Sequence, residues 1–208
     1  MLKQLDNVFA RYDIYWSKVD PNWITMLRLG LVPFALVLLL LATPLSLMAC
    51  LLLMVIIEIT DRLDGYVARK FDKASDWGKL YDPMADVVYH LSMYLALIHF
   101  LPSKIFVVLV AIIFFREIRI AYLRAECASR GLILAALPMG KAKVATQIVS
   151  TLVCVIWLLM QSIFGSGIIA GCWYFLASAS MGVTAGLSIV SLFYYQSYVK
   201  KQLRSLPL

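Results

Sequence analysis

Charge is what this sequence is short of. Only 15% of its 208 residues are Asp, Glu, Lys or Arg, while 62% are hydrophobic; soluble domains run at about half apolar and about a quarter charged. That balance excludes a water-soluble globular domain, and a mean hydropathy of +0.86 points to a membrane protein. Cysteine is also sparse. Cys50, Cys127, Cys154 and Cys172 include no C-x-x-C pair, so neither a zinc site nor a disulfide framework is expected. The net charge is +7, but no basic run is present that would track phosphates along a nucleic acid, and that partner is excluded. No cleavable signal peptide is expected, because the first apolar run follows a polar start containing Asp6, Asp13 and Asp20.

What the chain does have is long apolar stretches. Crossing about 30 Å of hydrocarbon takes roughly 20 residues of helix. Such stretches predict an all-α, polytopic membrane fold with six transmembrane helices, at about 23–43, 46–69, 82–101, 104–125, 142–163 and 168–195. Ahead of them, Leu2, Leu5, Phe9, Tyr12 and Trp16 recur every three or four residues, largely opposite Lys3, Asp6, Asn7, Arg11 and Asp13. That pattern predicts an amphipathic helix lying at the headgroup level. The chain thus divides into an interfacial segment 1–20, a six-helix domain 21–199 and a basic tail 200–208.

The basic residues orient it. Lys3, Arg11 and Lys18 precede the first span; Arg69, Lys70, Lys73 and Lys79 lie around the second connection. Arg124, Arg130, Lys141 and Lys143 lie around the fourth, and Lys200, Lys201 and Arg204 end the chain. The opposite loops offer only Lys104. By the positive-inside rule both termini face the cytoplasm, and a bacterial cytoplasmic membrane is the expected location.

Against this background, "TDRLDGYVARKFDKASDWGKLYDPMADVVYH" (60–90) stands out. Carboxylates near hydrocarbon are costly and mark functional sites or wet cavities. At about 100° per residue, Asp61 and Asp64 lie about 60° apart on a helix, with Gly65 and Ala68 close to the same face. Gly78, Asp82 and Asp86 are spaced by four on the next. Two facing stripes of carboxylate, with no basic residue in either, would repel. A pair of divalent cations removes the repulsion, and all-oxygen ligation suits Mg²⁺ or Mn²⁺. The small residues clear space beside the acids, and Arg69 is placed to neutralise a phosphate. Together these describe a site for a diphosphate at the membrane surface. Pro83 either occupies a first helical turn with Asp82 as cap or lies inside a longer helix.

The spacing Asp61-x2-Asp64-Gly65-x2-Ala68-Arg69-x8-Gly78-x3-Asp82-x3-Asp86 resembles the signature of the CDP-alcohol phosphatidyltransferase family. "PNWITMLR" (21–28) is similar to the opening of that family's first helix. The resemblance implies transfer of a phosphatidyl group from a CDP-linked lipid to a hydroxyl, with CMP leaving. It implies that Asp61, Asp64, Asp82 and Asp86 hold the metal ions and that Asp86 also serves as general base. Gly65, Ala68, Arg69 and Gly78 would line the CDP moiety, and a homodimer is expected.

For the acceptor, "REIRIAYLRAE" (116–126), "GKAKVATQ" (140–147) and "YDPMAD" (81–86) resemble segments of phosphatidylglycerophosphate synthases, which use glycerol-3-phosphate. Arg116, Arg119, Arg124, Lys141 and Lys143 form a basic group suited to a phosphorylated acceptor. Val87 and Val144 depart from that pattern, where lysine and threonine are expected. The alternatives within the family are phosphatidylglycerol, inositol phosphate and serine as acceptors. Outside it stand a cation transporter and a non-catalytic scaffold. Transport would need acids across the bilayer depth, and helices five and six carry none; a scaffold would tolerate loss of a signature aspartate, and none is lost.

Overall fold

The computed structural model describes residues 21–71, 76–101, 103–130, 132, 134 and 137–204. The side chains of residues 21, 22, 64, 68, 69, 76–83, 203 and 204 lie outside that description. So do the expected interfacial helix at 1–20 and the last four residues of the tail.

Six helices follow in order: α1 Pro21–Leu41, α2 Pro44–Lys70, α3 Asp76–Ile98, α4 Ile105–Ser129, α5 Pro138–Phe164 and α6 Ile168–Arg204. Four of them, α1, α2, α5 and α6, are long and apolar enough to cross a membrane. α3 offers the shorter apolar stretch Met84–Ile98, and the apolar run of α4 is interrupted by Arg116, Glu117 and Arg119. The protein is therefore an all-helical, polytopic membrane protein, with four clear spans among the described residues where hydropathy predicts six.

The helices also outrun their expected ends. α3 begins at Asp76, so Pro83 lies inside it rather than in its first turn. α5 begins at Pro138, α4 runs to Ser129, and α6 carries Lys200 and Lys201 within the helix rather than in a separate tail. Apolar runs mark contact with lipid, whereas the backbone ladder continues wherever no residue breaks it. Local chemistry sets two of the starts. Thr43 caps α2 through a reciprocal pair with Ser46, and Pro44 occupies the first turn, where its missing N–H costs nothing. Pro138 does the same for α5.

The inward face of each helix is legible as a three-four repeat. On α1 it runs Thr25, Arg28, Val32, Ala35, Leu39; on α2, Leu47, Cys50, Met54, Ile57, and in the same register Asp61. α1 packs on α2 and α3. These seams join Tyr89, Met93, Tyr94 and Leu97 of α3 in one apolar core with Cys154, Val155 and Trp157 of α5 and Ala177, Met181 and Ala185 of α6. α6 packs against α5 and α4 through small residues such as Ala177, Thr184, Ala185 and Ser188, all buried, which lets the backbones approach closely. All four cysteines are free thiols, three of them buried. The outer surface is oily by comparison: Leu40, Leu52, Phe115, Phe175 and Phe193 are among many large side chains left exposed, as a lipid-facing surface requires.

Candidate active site

The apolar seams of α1, α2 and α3 all end in charge at one end of the bundle. The α2 repeat continues from Ile57 to Asp61, and α3 carries Asp86 one turn before His90. Between them stands Arg28, projecting from the inward stripe of α1 and only 1% exposed. One of its terminal nitrogens, Nη1, donates both to Asp61 Oδ1 and to Asp86 Oδ1, the latter at 3.0 Å. Two carboxylates from different helices thus aim one oxygen each at a single cationic point. Their side chains are 38% and 37% exposed, so the carboxylates open to one side while the guanidinium is sealed beneath them.

A second polar layer lies behind this point. Glu58, one turn before Asp61, has Oε1 3.8 Å from His90 Nε2, a contact too long for a hydrogen bond. The His90 ring tilts against Tyr89 at 4.7 Å between centroids, and His90 is buried. Both Glu58 and His90 therefore belong to the packed floor of the site.

Asp64, Ala68 and Arg69 lie within α2, and Gly78 and Asp82 within α3, but their side chains are outside the described residues. Gly65 is half-buried on α2. Among the described residues no set of three or more His, Cys, Asp or Glu is gathered as a metal site; Asp61 and Asp86 are the two signature acids whose side chains are described. The donor chemistry of that pair nonetheless fits a hard divalent cation. Two carboxylate oxygens converge on one point that already holds positive charge, and neither donor is nitrogen or sulfur.

The five basic residues expected to bind the acceptor separate into different settings. Arg116 and Lys143 are buried and share Glu117 between α4 and α5. Arg116 Nε also donates to Ser191 Oγ of α6 at 3.0 Å, and its guanidinium lies 5.6 Å from the Tyr195 ring centroid. Lys143 Nζ donates to both Glu117 and Gln147. Arg119 stacks near the Tyr122 ring at 5.5 Å, and Arg124 is half-buried with its Nε enclosed and without a partner among the described residues. Lys141 is exposed, and two residues from Lys143 it points to another face of α5.

Two members of these clusters lie within the quoted segments 21–28 and 116–126, but nothing in those segments marks their partners. The aspartate stripes contain no base, so their spacing does not lead to Arg28; its signal is an arginine standing in the buried three-four repeat of α1. Glu117 is visible in the sequence only as a neighbour of Arg116, yet it is the anion that ties α4 to α5.

Comparison with known proteins gives the family. The family model described as CDP-alcohol phosphatidyltransferase matches residues 18–190. A CDP-diacylglycerol–glycerol-3-phosphate 3-phosphatidyltransferase of Treponema pallidum is 35% identical over 128 residues, covering 61% of this chain and 56% of the relative's length. The protein of the same name from Bacillus subtilis is 31% identical over 142 residues, covering 62% and 72%. That from Sodalis glossinidius is 30% identical over 179 residues, covering 84% and 91%. With the family model spanning the helices that carry Arg28, Asp61, Asp86 and Lys143, the chain belongs to the CDP-alcohol phosphatidyltransferase family and is an enzyme of that family.

Proposed function

We propose that this enzyme transfers the phosphatidyl group of CDP-diacylglycerol to glycerol-3-phosphate, forming phosphatidylglycerophosphate and releasing CMP. The observation that carries the reading is the pairing of the Asp61–Asp86 site with a second, cationic cluster built on α4 and α5. There two cations, Arg116 and Lys143, share one carboxylate, Glu117, so one formal positive charge is left over in a buried setting. Arg119 and Arg124 of α4 and the exposed Lys141 of α5 stand outside this cluster and add positive charge to the same two helices. A phosphorylated acceptor suits that excess better than serine or free inositol, because charge-assisted hydrogen bonds to phosphate are strong where water is scarce. The names of the three relatives point the same way.

In this reading an acceptor hydroxyl oxygen attacks the phosphorus on the lipid side of the diphosphate. The bond from that phosphorus to the bridging oxygen breaks, and the electron pair leaves with CMP. Asp86 takes the hydroxyl proton as general base. Asp61, Asp64, Asp82 and Asp86 would hold one or two Mg²⁺ or Mn²⁺ ions, which supply charge stabilisation for the diphosphate and the leaving group when bound. Gly65, Ala68, Arg69 and Gly78 would line the CDP moiety. α3 and α4 are proposed to cross the bilayer with the other four helices, with the aspartates and both termini on the cytoplasmic side, and the enzyme is proposed to be a homodimer.

The test is CMP release by the purified enzyme in detergent with CDP-diacylglycerol and Mg²⁺, acceptors being supplied one at a time. Release with glycerol-3-phosphate, and not with phosphatidylglycerol, serine, inositol or inositol phosphate, is the expected result. Release only with another acceptor would retain the family chemistry and remove the α4–α5 cluster as the binding site for glycerol-3-phosphate.

A further inference from the structure

We infer that Arg28 is an internal counter-cation that holds Asp61 and Asp86 together before metal arrives and must leave them when it does. The inference rests on the reading of these aspartates as metal ligands and adds a role that the reading does not contain. Three observations carry it. Arg28 comes from α1, a different helix from either aspartate, so its contacts fasten α1, α2 and α3 to one another. A single nitrogen serves both carboxylates, and the oxygens it occupies are Oδ1 of each. The arginine is 1% exposed whereas both carboxylates are more than one-third exposed, so the cation is supplied from within while the acids stay within reach of an entering ion.

Without such a cation, clustered carboxylates at a membrane surface would repel one another, and a buried arginine would lack compensation. Arg28 and the acids relieve each other, so the helices can assemble with no metal present. A divalent ion brought to the same two oxygens would stand beside the guanidinium nitrogen with like charge. Metal entry therefore displaces Arg28 from at least one carboxylate, and the observed metal affinity is the intrinsic affinity reduced by the cost of breaking that contact.

The experiment titrates Mn²⁺ into chelator-stripped enzyme in detergent and reads the free ion by electron paramagnetic resonance, with thermal unfolding in parallel. Wild type, Arg28→Met and Asp61→Asn are compared. Arg28→Met should bind Mn²⁺ at least about tenfold tighter than wild type, melt lower without metal and gain more in melting temperature when metal is added. Equal or weaker binding by Arg28→Met, with wild type binding normally and Asp61→Asn impaired, overturns the displacement while leaving the metal ligands in place. If wild type and Asp61→Asn bind Mn²⁺ alike, the ligand assignment itself falls, and this inference with it.

A second measurement serves if Arg28→Met does not fold. Infrared difference spectra of wild type labelled with guanidino-¹³C arginine, recorded before and after Mn²⁺, should show a shifted guanidinium band that is missing from Arg28→Lys. No such band in wild type would mean that Arg28 keeps its partners when metal binds, which overturns the inference.

Discussion

Asp86 and Glu117 are both carboxylates held by a buried cation, and they should answer differently to loss of charge. Asparagine at 86 keeps an oxygen to accept from Arg28 but cannot take a proton. Asp86→Asn should therefore fold and lose CMP release by at least about 10²-fold, the usual worth of a general base. Near-normal turnover in that variant would remove Asp86 as the base. Glu117 has a structural part, because Arg116 and Lys143 are both buried against it. Removing one partner of a buried ion pair costs about 3–5 kcal/mol, so Glu117→Gln should lower thermal stability in detergent severely. Adding Lys143→Met should restore most of it, since a neutral, apolar replacement leaves one fewer charge to compensate; a double variant no more stable than Glu117→Gln would contradict the pairing. These residues also show what one sequence reveals. Asp61 and Asp86 are legible because helical spacing repeats within a few turns. Their joint partner Arg28 is not, because it lies 33 residues before Asp61 and only packing of α1 brings it there.

At the scale of the element, the start of α5 decides where Lys141 and Lys143 stand, and Tyr195 of α6 fixes that start. The Tyr195 hydroxyl accepts the Leu137 N–H at 2.9 Å, satisfying a donor just before the helix begins. Gly140 lies directly beneath it: a Cβ there would be 2.6 Å from the hydroxyl oxygen and 3.1 Å from the nearest ring carbon. Tyr195 is buried and has little room to retreat. Gly140→Ala should cost about 1–3 kcal/mol, the range for an extra methyl group forced into a packed site. It should raise the KM for the acceptor more than that for CDP-diacylglycerol. Tyr195→Phe removes the closest atom, so the cost of Gly140→Ala should shrink in that background; an unchanged cost would mean the contact is not what the alanine meets. Hydropathy locates α5 but begins it at residue 142, past the true start at Pro138, because a first turn of proline, methionine, glycine and lysine does not extend an apolar run. The same blindness hides the opening turns of α3. What fixes both ends is backbone chemistry, a proline at the start in one case and in the other a helix that runs on through Pro83 despite that residue's missing N–H, and only the first of these has a sequence mark.

For the whole molecule, the proposed orientation and the number of crossings can be tested together on α4. Arg116, Glu117 and Arg119 interrupt the apolar run of this helix, yet its 25 residues extend about 37 Å at 1.5 Å per residue, enough to cross. Lys104 and Arg130 flank it and both are exposed. If α4 spans the bilayer with the aspartates on the cytoplasmic side, these two positions lie on opposite surfaces. Cys50, Cys127 and Cys154 are buried and Cys172 is exposed, so Cys172→Ser gives a background of low reactivity. In that background, Lys104→Cys should react with a membrane-impermeant maleimide on intact cells. Arg130→Cys should react only after the membrane is opened. The reverse pattern would invert the enzyme and move the diphosphate chemistry to the outer face, against the charge bias of the loops. Labelling of both positions from one side would mean that α4 does not cross, and the cluster of Arg116, Glu117 and Lys143 would then have to be shielded from lipid by α5 and α6 alone.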